Sequence, residues 1–356
     1  MIKPNNLIKN ITRPPADKSS RESHFRFDRN ERTTLFDDFE FNEMISQITP
    51  YDLVAYGELE PFYNKVKNWL NISRNEVLLT SGSDMAIRSI FQTFIEHGDK
   101  VIITQPNYAM FSVYNKMYAG VELEQFYKED LDLDIDELLS KLNKSIKMLV
   151  ISNPGHTGKA IDSEKIIKIL HKANHYNTLV VVDEAYFHFH NFSLIEYINQ
   201  YKNLIVTRTF SKAIGLASLR IGLLISNSSL INELYKVKLV HEITGVAAKI
   251  GSYIIDNFHI VDNYVNQVIK GKKILSDRFL SMGIQTYESD SNLFFFKINK
   301  KINVNEFMNF LNKRNIYIKG PFLKFPFNGQ FRITVGDIAQ MENLCDIFED
   351  YLNSIN

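Results

Sequence analysis

The sequence predicts an α/β protein, with a large domain built on a mostly parallel sheet flanked by helices and a smaller C-terminal α+β domain. Three observations predict it. From about residue 76, short apolar runs end in turns that carry polar groups, and helical stretches often follow. The runs lack the in–out alternation of a half-exposed sheet, which suits strands buried on both faces. After about residue 228 the texture changes to long helical sequence and then to a second, shorter set of strands and helices. Strands interleaved with helices indicate parallel pairing.

Taken in order, residues 1–25 are polar and proline-bearing and read as an arm. "EVLLT" precedes "SGSDMAIRSIFQTFIEHG", and "KVIIT" precedes "QPNYAMFSVYNKMY". "KMLVIS" precedes "NPGHTGKAIDSEKIIKILHKAN", "TLVVV" precedes "DEAYFHF", and "NLIVTRT" precedes "FSKAIGLASLR". A long helical region, "LINELYKVKLVHEITGVAAKIGSYIIDNF", leads to "NLFFFKI", a helix at "VNEFMNFLNKRN", "IYIKG", "QFRITVG" and a last helix at "IAQMENLCDIFEDYL". The expected division is an arm over 1–45 that also contributes to the small domain, a large domain over 46–240 and a small one over 241–356.

Composition removes several classes of function. Apolar residues make up 45% of the 356, so a packed globular protein is expected. Lys+Arg and Asp+Glu balance at 41 each, which suggests neither nucleic acid nor an anionic membrane as partner. The single Cys345 excludes an internal disulfide and a cysteine-built zinc site, and reads as a small buried hydrophobe. The N-terminus lacks the apolar core of a signal peptide, and no run approaches the ~18 apolar residues of a membrane span. The expected location is the cytoplasm.

In parallel sheets, ligands bind beyond the carboxyl ends of the strands. The unusual residues gather there: Gly82, Ser83, Tyr108, Asn153, Asp183 and Lys212. Lys212 follows a strand and Ser211, with no acidic neighbour in its segment. A partly buried amine without a carboxylate is less stable as an ammonium, so its pKa falls toward neutrality. That suits a nucleophile for a carbonyl carbon; the other reading is an ordinary lysine with its amine in solvent. Asp183 ends the most apolar run of the chain, where a carboxylate needs a cation or donor. A protonated heterocyclic nitrogen would meet it, and so would a turn that it caps.

"SGSDMAIRSIF" opens a helix directly after a strand. Gly82 lets the backbone turn, and Ser83 and Asp84 place N–H groups at the positive end of the helix, an arrangement that suits phosphate. A plain capping turn has the same pattern. Ser211 and Arg220 would add a hydroxyl and a guanidinium. Tyr108 could lay its ring on a flat ligand or pack in the core. Tyr186, three residues after Asp183, could donate its hydroxyl to a second polar atom of that ligand. His188 and His190 alternate in "YFHFH" and could share a metal, but no third ligand is evident, so they read as polar residues at a strand end. Together the pieces describe a phosphate, a flat heterocycle with a basic nitrogen and an aldehyde for a lysine. Pyridoxal 5′-phosphate has all three.

At these motifs the chain resembles the fold-type I pyridoxal-phosphate aminotransferases, most of all the histidinol-phosphate aminotransferase-like branch. The resemblance covers roughly residues 26–345. It rests on "RFDRNER", "AYGELEP", "LLTSGSDMAI", "PNYAMFSVY", "NPGHTG", "VVVDEAYFHF", "RTFSKAIGLASLRIG" and "FRITVG", the last three being the most specific. It implies that Lys212 carries the cofactor as an aldimine and moves a proton, that Asp183 pairs with the pyridinium, that Tyr186 approaches the ring hydroxyl oxygen and that Tyr108 stacks on the ring. By the same resemblance Gly82, Ser83 and Asp84, with Ser211 and Arg220, hold the phosphate. Tyr56 matches a tyrosine that reaches the phosphate of the neighbouring subunit, which implies a homodimer with shared sites. Arg332 matches the arginine that grips a substrate carboxylate as a fork. The implied reaction moves an amino group from an amino acid or an amino-alcohol phosphate to a keto-acid acceptor.

The chain departs from the family at three points. Where the family usually reads N-P-N-N-P-T-G, this chain has the shorter "NPGHTG". Aligned from Thr-Gly, the asparagine expected to bond the ring oxygen falls on Gly155; aligned from Asn-Pro, Asn153 is the one available. His156 could take that bond or face solvent. Lys319 in "IYIKG" stands where histidinol-phosphate enzymes usually carry arginine, and it would meet an anion as a point charge. Met85 replaces a common acidic residue. Two rival readings follow: a decarboxylase of the same fold, which Arg332 opposes because a gripped carboxylate is poorly placed to leave, and a non-catalytic relative, which the joint retention of Lys212, Asp183, Arg220 and Arg332 opposes.

Overall fold

A computed structural model describes residues 2–3, 5–9, 11, 21–299 and 302–355. Its strands in chain order are β1 (Phe25–Arg26), β2 (Val77–Ser81), β3 (Lys100–Gln105), β4 (Val121–Phe126), β5 (Ile146–Ser152) and β6 (Leu179–Asp183). They continue with β7 (Leu204–Thr209), β8 (Ile221–Ser226), β9 (Ile284–Thr286), β10 (Leu293–Ile298), β11 (Ile316–Tyr317) and β12 (Phe331–Thr334). Seven of them form the main sheet, in the order β2-β8-β7-β6-β5-β3-β4. The pairings from β7 through β4 are parallel. The continuous apolar runs are explained by cover on both faces: Val180 and Val182 pack into one core, and Val181 between them into the other.

"FSKAIGLASLR" is a turn with one 3-10 segment at Ala217–Leu219, and it leads into β8, which runs antiparallel to both β7 and β2. A parallel return needs a crossover of roughly a dozen residues or more, and the segment 210–220 is too short to supply one. Two local expectations are corrected. The helical region at 230–258 is interrupted. Helix Ser228–Tyr235 ends, and Gly245–Asp256 restarts where the Thr244 hydroxyl accepts from Ala247 N at 3.1 Å. "YFHFH" is not the end of a strand: β6 stops at Asp183, Phe187–Phe189 is a 3-10 turn, and His188 stacks on Trp69 instead of sharing a strand face with His190.

A second sheet, β12-β10-β9, is antiparallel throughout. Its core is aromatic. Phe279, Phe307 and Phe348, from helices His259–Ser281, Val304–Asn312 and Ile338–Ser354, meet the strand residues Phe296 and Phe331 edge-to-face. Cys345 lies fully buried there. β1 pairs with β11, so the segment after residue 21 lies against C-terminal sequence. No helix among the described residues is long and apolar enough to cross a membrane.

Candidate active site

Adjacent parallel strands deliver their last residues to one edge of the sheet. Asp183 ends β6, beside Ser152 of β5 and Thr207 of β7 in the register. It is 6% exposed, and its Oδ1 accepts from the Thr207 hydroxyl at 2.8 Å. Burial pushes its carboxyl up to about 6, although the Thr207 bond and the Lys212 amine pull the other way. Lys212 lies three residues beyond β7, and its Nζ donates to the Arg29 carbonyl at 3.3 Å. Burial and, after it, the Arg332 guanidinium lower this amine to about 8. Tyr186 is buried; its hydroxyl accepts from Asn30 Nδ2 at 2.9 Å, and its ring lies 5.9 Å from Lys212 Nζ.

One end of the site is the start of helix Gly82–Phe94, immediately after β2. Gly82 has φ +71°, and a Cβ there would run into the Arg220 guanidinium. Its N–H donates to the Arg220 carbonyl at 2.8 Å. Arg220 itself takes a left-handed φ of 54° and donates to Ser211 Oγ at 3.4 Å and to the Ala217 carbonyl at 3.1 Å. A hydroxyl, a guanidinium and a helix N-terminus therefore converge where the glycine leaves room. The Asp84 carboxylate accepts from the Tyr114 hydroxyl at 3.1 Å and from Tyr108 at 3.5 Å.

The opposite wall is Arg332 of β12, 7% exposed. Its NH2 donates to the Asp28 carbonyl at 3.1 Å, its NH1 lies 3.3 Å from His156 Nε2, and its buried Nε has no hydrogen-bond partner among the described residues. Between the two ends is a cavity of about 330 Å³. Ser83, Asp84, Tyr108, Asp183, Tyr186, Ser211, Lys212, Arg220 and Arg332 all line it. A phosphate would meet the helix start, a ring nitrogen would meet Asp183 and an aldehyde would meet the Lys212 amine. The residues present fit pyridoxal 5′-phosphate.

The family profile for aminotransferase class I and II matches residues 45–348. The chain belongs to the class I and II aminotransferase family. It is a pyridoxal-phosphate-dependent aminotransferase of the histidinol-phosphate aminotransferase-like kind. A histidinol-phosphate aminotransferase of Clostridium novyi is 30% identical over 92% of this chain and 91% of its own. One of Flavobacterium psychrophilum is 28% identical over 97% of this chain and 98% of its own. The crystal structure of histidinol-phosphate aminotransferase from Sinorhizobium meliloti in complex with pyridoxal-5′-phosphate shares the fold, with a TM-score of 0.84 at 19% identity over 99% of this chain and 98% of that one.

Within this aminotransferase, four of the residues expected to bind cofactor or substrate do not line the cavity. Gly82 stands behind Arg220. Asn153 is buried below the floor, and its Oδ1 accepts from Ile161 N at 2.8 Å. Tyr56 is 78% exposed and lies flat on His241, ring centroids 4.1 Å apart. Lys319 is exposed, although its backbone exchanges hydrogen bonds of 3.0 and 2.8 Å with that of Arg332. His156 does line the cavity and is half-buried. Sequence reasoning passed over Arg29, Asn30, Asn107, Ser152 and Thr209, which also line it. Ser152 and Thr209 could have been found as the last residues of β5 and β7, and Asn107 as the neighbour of Tyr108. Arg29 and Asn30 lie within the quoted "RFDRNER", but no strand end or neighbouring site residue marks either one.

Proposed function

We propose that Lys212, Asp183, Arg220 and Arg332 carry amino-group transfer in this cavity, on an amine that also bears an oxyanion: an amino acid or an amino-alcohol phosphate. The observation behind this reading is that a buried guanidinium with an unpartnered Nε shares one cavity with a lysine amine of lowered pKa. When bound, pyridoxal phosphate supplies an electron-accepting ring that stabilises negative charge on the substrate carbon beside the amine.

The protein supplies the rest. Asp183, oriented by Thr207, would hold a proton on the ring nitrogen of the bound cofactor. Lys212, with its amine near 8, has a neutral fraction around neutral pH; it would take the proton from the substrate carbon beside the amine and deliver it to the C4′ carbon of the bound cofactor, as a general base and then an acid. Tyr186, oriented by Asn30, donates its hydroxyl within the site. Arg220, Ser211 and the N–H groups of Ser83 and Asp84 offset the phosphate charge. Tyr108 would lie on a ring face of the cofactor, and Arg332 would grip the substrate oxyanion. Asn153 is a further candidate to bond the ring oxygen. Lys319, beside Arg332 in the chain pairing, is a candidate for a distal anion. Tyr56, with Leu53, Val54 and Val240, forms exposed apolar surface that supports a homodimer in which Tyr56 reaches the neighbouring site.

Mixing the protein with pyridoxal phosphate should produce a yellow absorbance band that Lys212→Ala lacks. A panel of amines, beginning with histidinol phosphate because the relatives bear that name, is then scored by bleaching of the band. A colourless wild type would sink the reading. Release of carbon dioxide in a single turnover, in place of a keto product, would mark decarboxylation instead.

A further inference from the structure

His156 sits near the tip of loop 153–160, half-buried in the cavity wall. The fold holds this loop firmly. Ile161 N donates to Asn153 Oδ1 at 2.8 Å, and Gly155 N to the Lys159 carbonyl at 2.7 Å. Asp290, from the turn before β10, accepts from Ala160 N on its carboxylate at 2.8 Å and donates its own N–H to the Gly158 carbonyl at 2.8 Å. His156 Nε2 comes within 3.3 Å of Arg332 NH1. A guanidinium only donates, so Nε2 accepts and the proton of the neutral ring resides on Nδ1. The ring is kept neutral by burial and then by the charges of Arg332 and Lys212, which hold it down at about 3.

On its other side Arg332 donates to the Asp28 carbonyl. Two uncharged acceptors thus orient the cation, and the Asp28 carboxylate that also acts on it is itself paired with Arg21 and Arg29. A carboxylate at 156 would orient Arg332 equally well but would take the charge meant for a ligand. A small apolar side chain would leave a buried N–H without its acceptor. We propose that His156 is a positioning residue that keeps Arg332 oriented and uncompensated, so that the site selects amines bearing an oxyanion, whether carboxylate or phosphate. The proposal rests on the assignment of Arg332 made above.

The test compares the cofactor-loaded wild type with His156→Ala, His156→Asn and His156→Asp. Binding of succinate and of inorganic phosphate is measured by calorimetry, alongside kcat and KM for the best amine. His156→Ala should weaken oxyanion binding and raise KM about tenfold while kcat stays within about threefold. His156→Asn keeps an acceptor and should recover most of the affinity; His156→Asp should bind neither probe. A loss confined to succinate marks a carboxylate site, and one confined to phosphate marks a phosphate ester. The proposal is overturned if His156→Ala and His156→Asp bind both probes as wild type does, if His156→Asn is no better than His156→Ala, or if the variants lose the cofactor band along with the probes. A wild type without the band would instead remove the underlying reading of the site.

Discussion

Burial of Asp183 at the end of β6 raises its carboxyl from an ordinary 3.8 to about 6. Between those values the folded chain binds more protons than the unfolded chain. Stability therefore falls as pH rises through that window, and the cost is complete above it. Asp183→Asn should stabilise the cofactor-free protein by ~2–3 kcal/mol at pH 7, with no difference below about pH 4, while turnover drops ~100-fold or more. Thermal melts across pH, paired with kinetics, check both halves; equal melting at pH 7 would refute the first. Lys212 has the opposite slope. Its amine falls from 10.5 to about 8, so the unfolded chain binds the extra proton and stability rises with pH through that window. Lys212→Met should therefore melt higher than wild type at pH 7, and the gap should close above about pH 10.5. Both residues were legible in the sequence because each puts a charge where an apolar run ends. Arg29 was not, because an arginine at a turn is ordinary until the fold shows what it faces.

Contact between β8 and the helix Gly82–Phe94 depends on one missing side chain. Gly222 lies opposite both Thr80 and Thr209 in the sheet, and a Cβ there would collide with the Gly82 backbone. Gly222→Ala should push the helix start away from Arg220. The expected cost is about 1–3 kcal/mol in stability, together with at least tenfold weaker cofactor binding. Melting and an absorbance titration measure the two, and an unchanged cofactor affinity would contradict the role given to this contact. Elements differed in how well they could be read. β6 and β7 are buried at every position and announce themselves as apolar runs. β4, "VELEQF", is an edge strand whose exposed face takes glutamates, so its sequence is too polar to register as a buried run. β8 is as apolar as β7, and a short turn instead of a crossover helix joins the two.

Segment 28–30 joins parts of the molecule that are distant in sequence. The Asp28 carbonyl holds Arg332, the Arg29 carbonyl holds Lys212, and Asn30 bonds both Tyr186 and Thr334. The N-terminal segment thus ties the ends of the main sheet to β12 across the cavity. Apolar side chains remain exposed near Tyr56, including Val54 and Val240. If this surface closes against a second copy, Val54→Asp and Val240→Asp should each shift the protein toward monomer in analytical ultracentrifugation and lower turnover, since Tyr56 would then miss the neighbouring site. A wild type that sediments as a monomer at micromolar concentration would refute the dimer.

The sequence by itself determined the α/β class, the strands β2, β3, β5, β6 and β7 and the chemistry gathered at their ends. Burial on both faces writes itself as a local apolar run, and a strand-end charge is visible against it. Tertiary structure decided what lies across the cavity. Pairing of His156 with Arg332, of Asn30 with Tyr186 and of Arg29 with Lys212 spans well over a hundred residues of chain each time. No local pattern encodes such a distance, so the hydrogen bonds that orient Arg332 and Lys212 emerge only when the two sheets and the N-terminal segment come together.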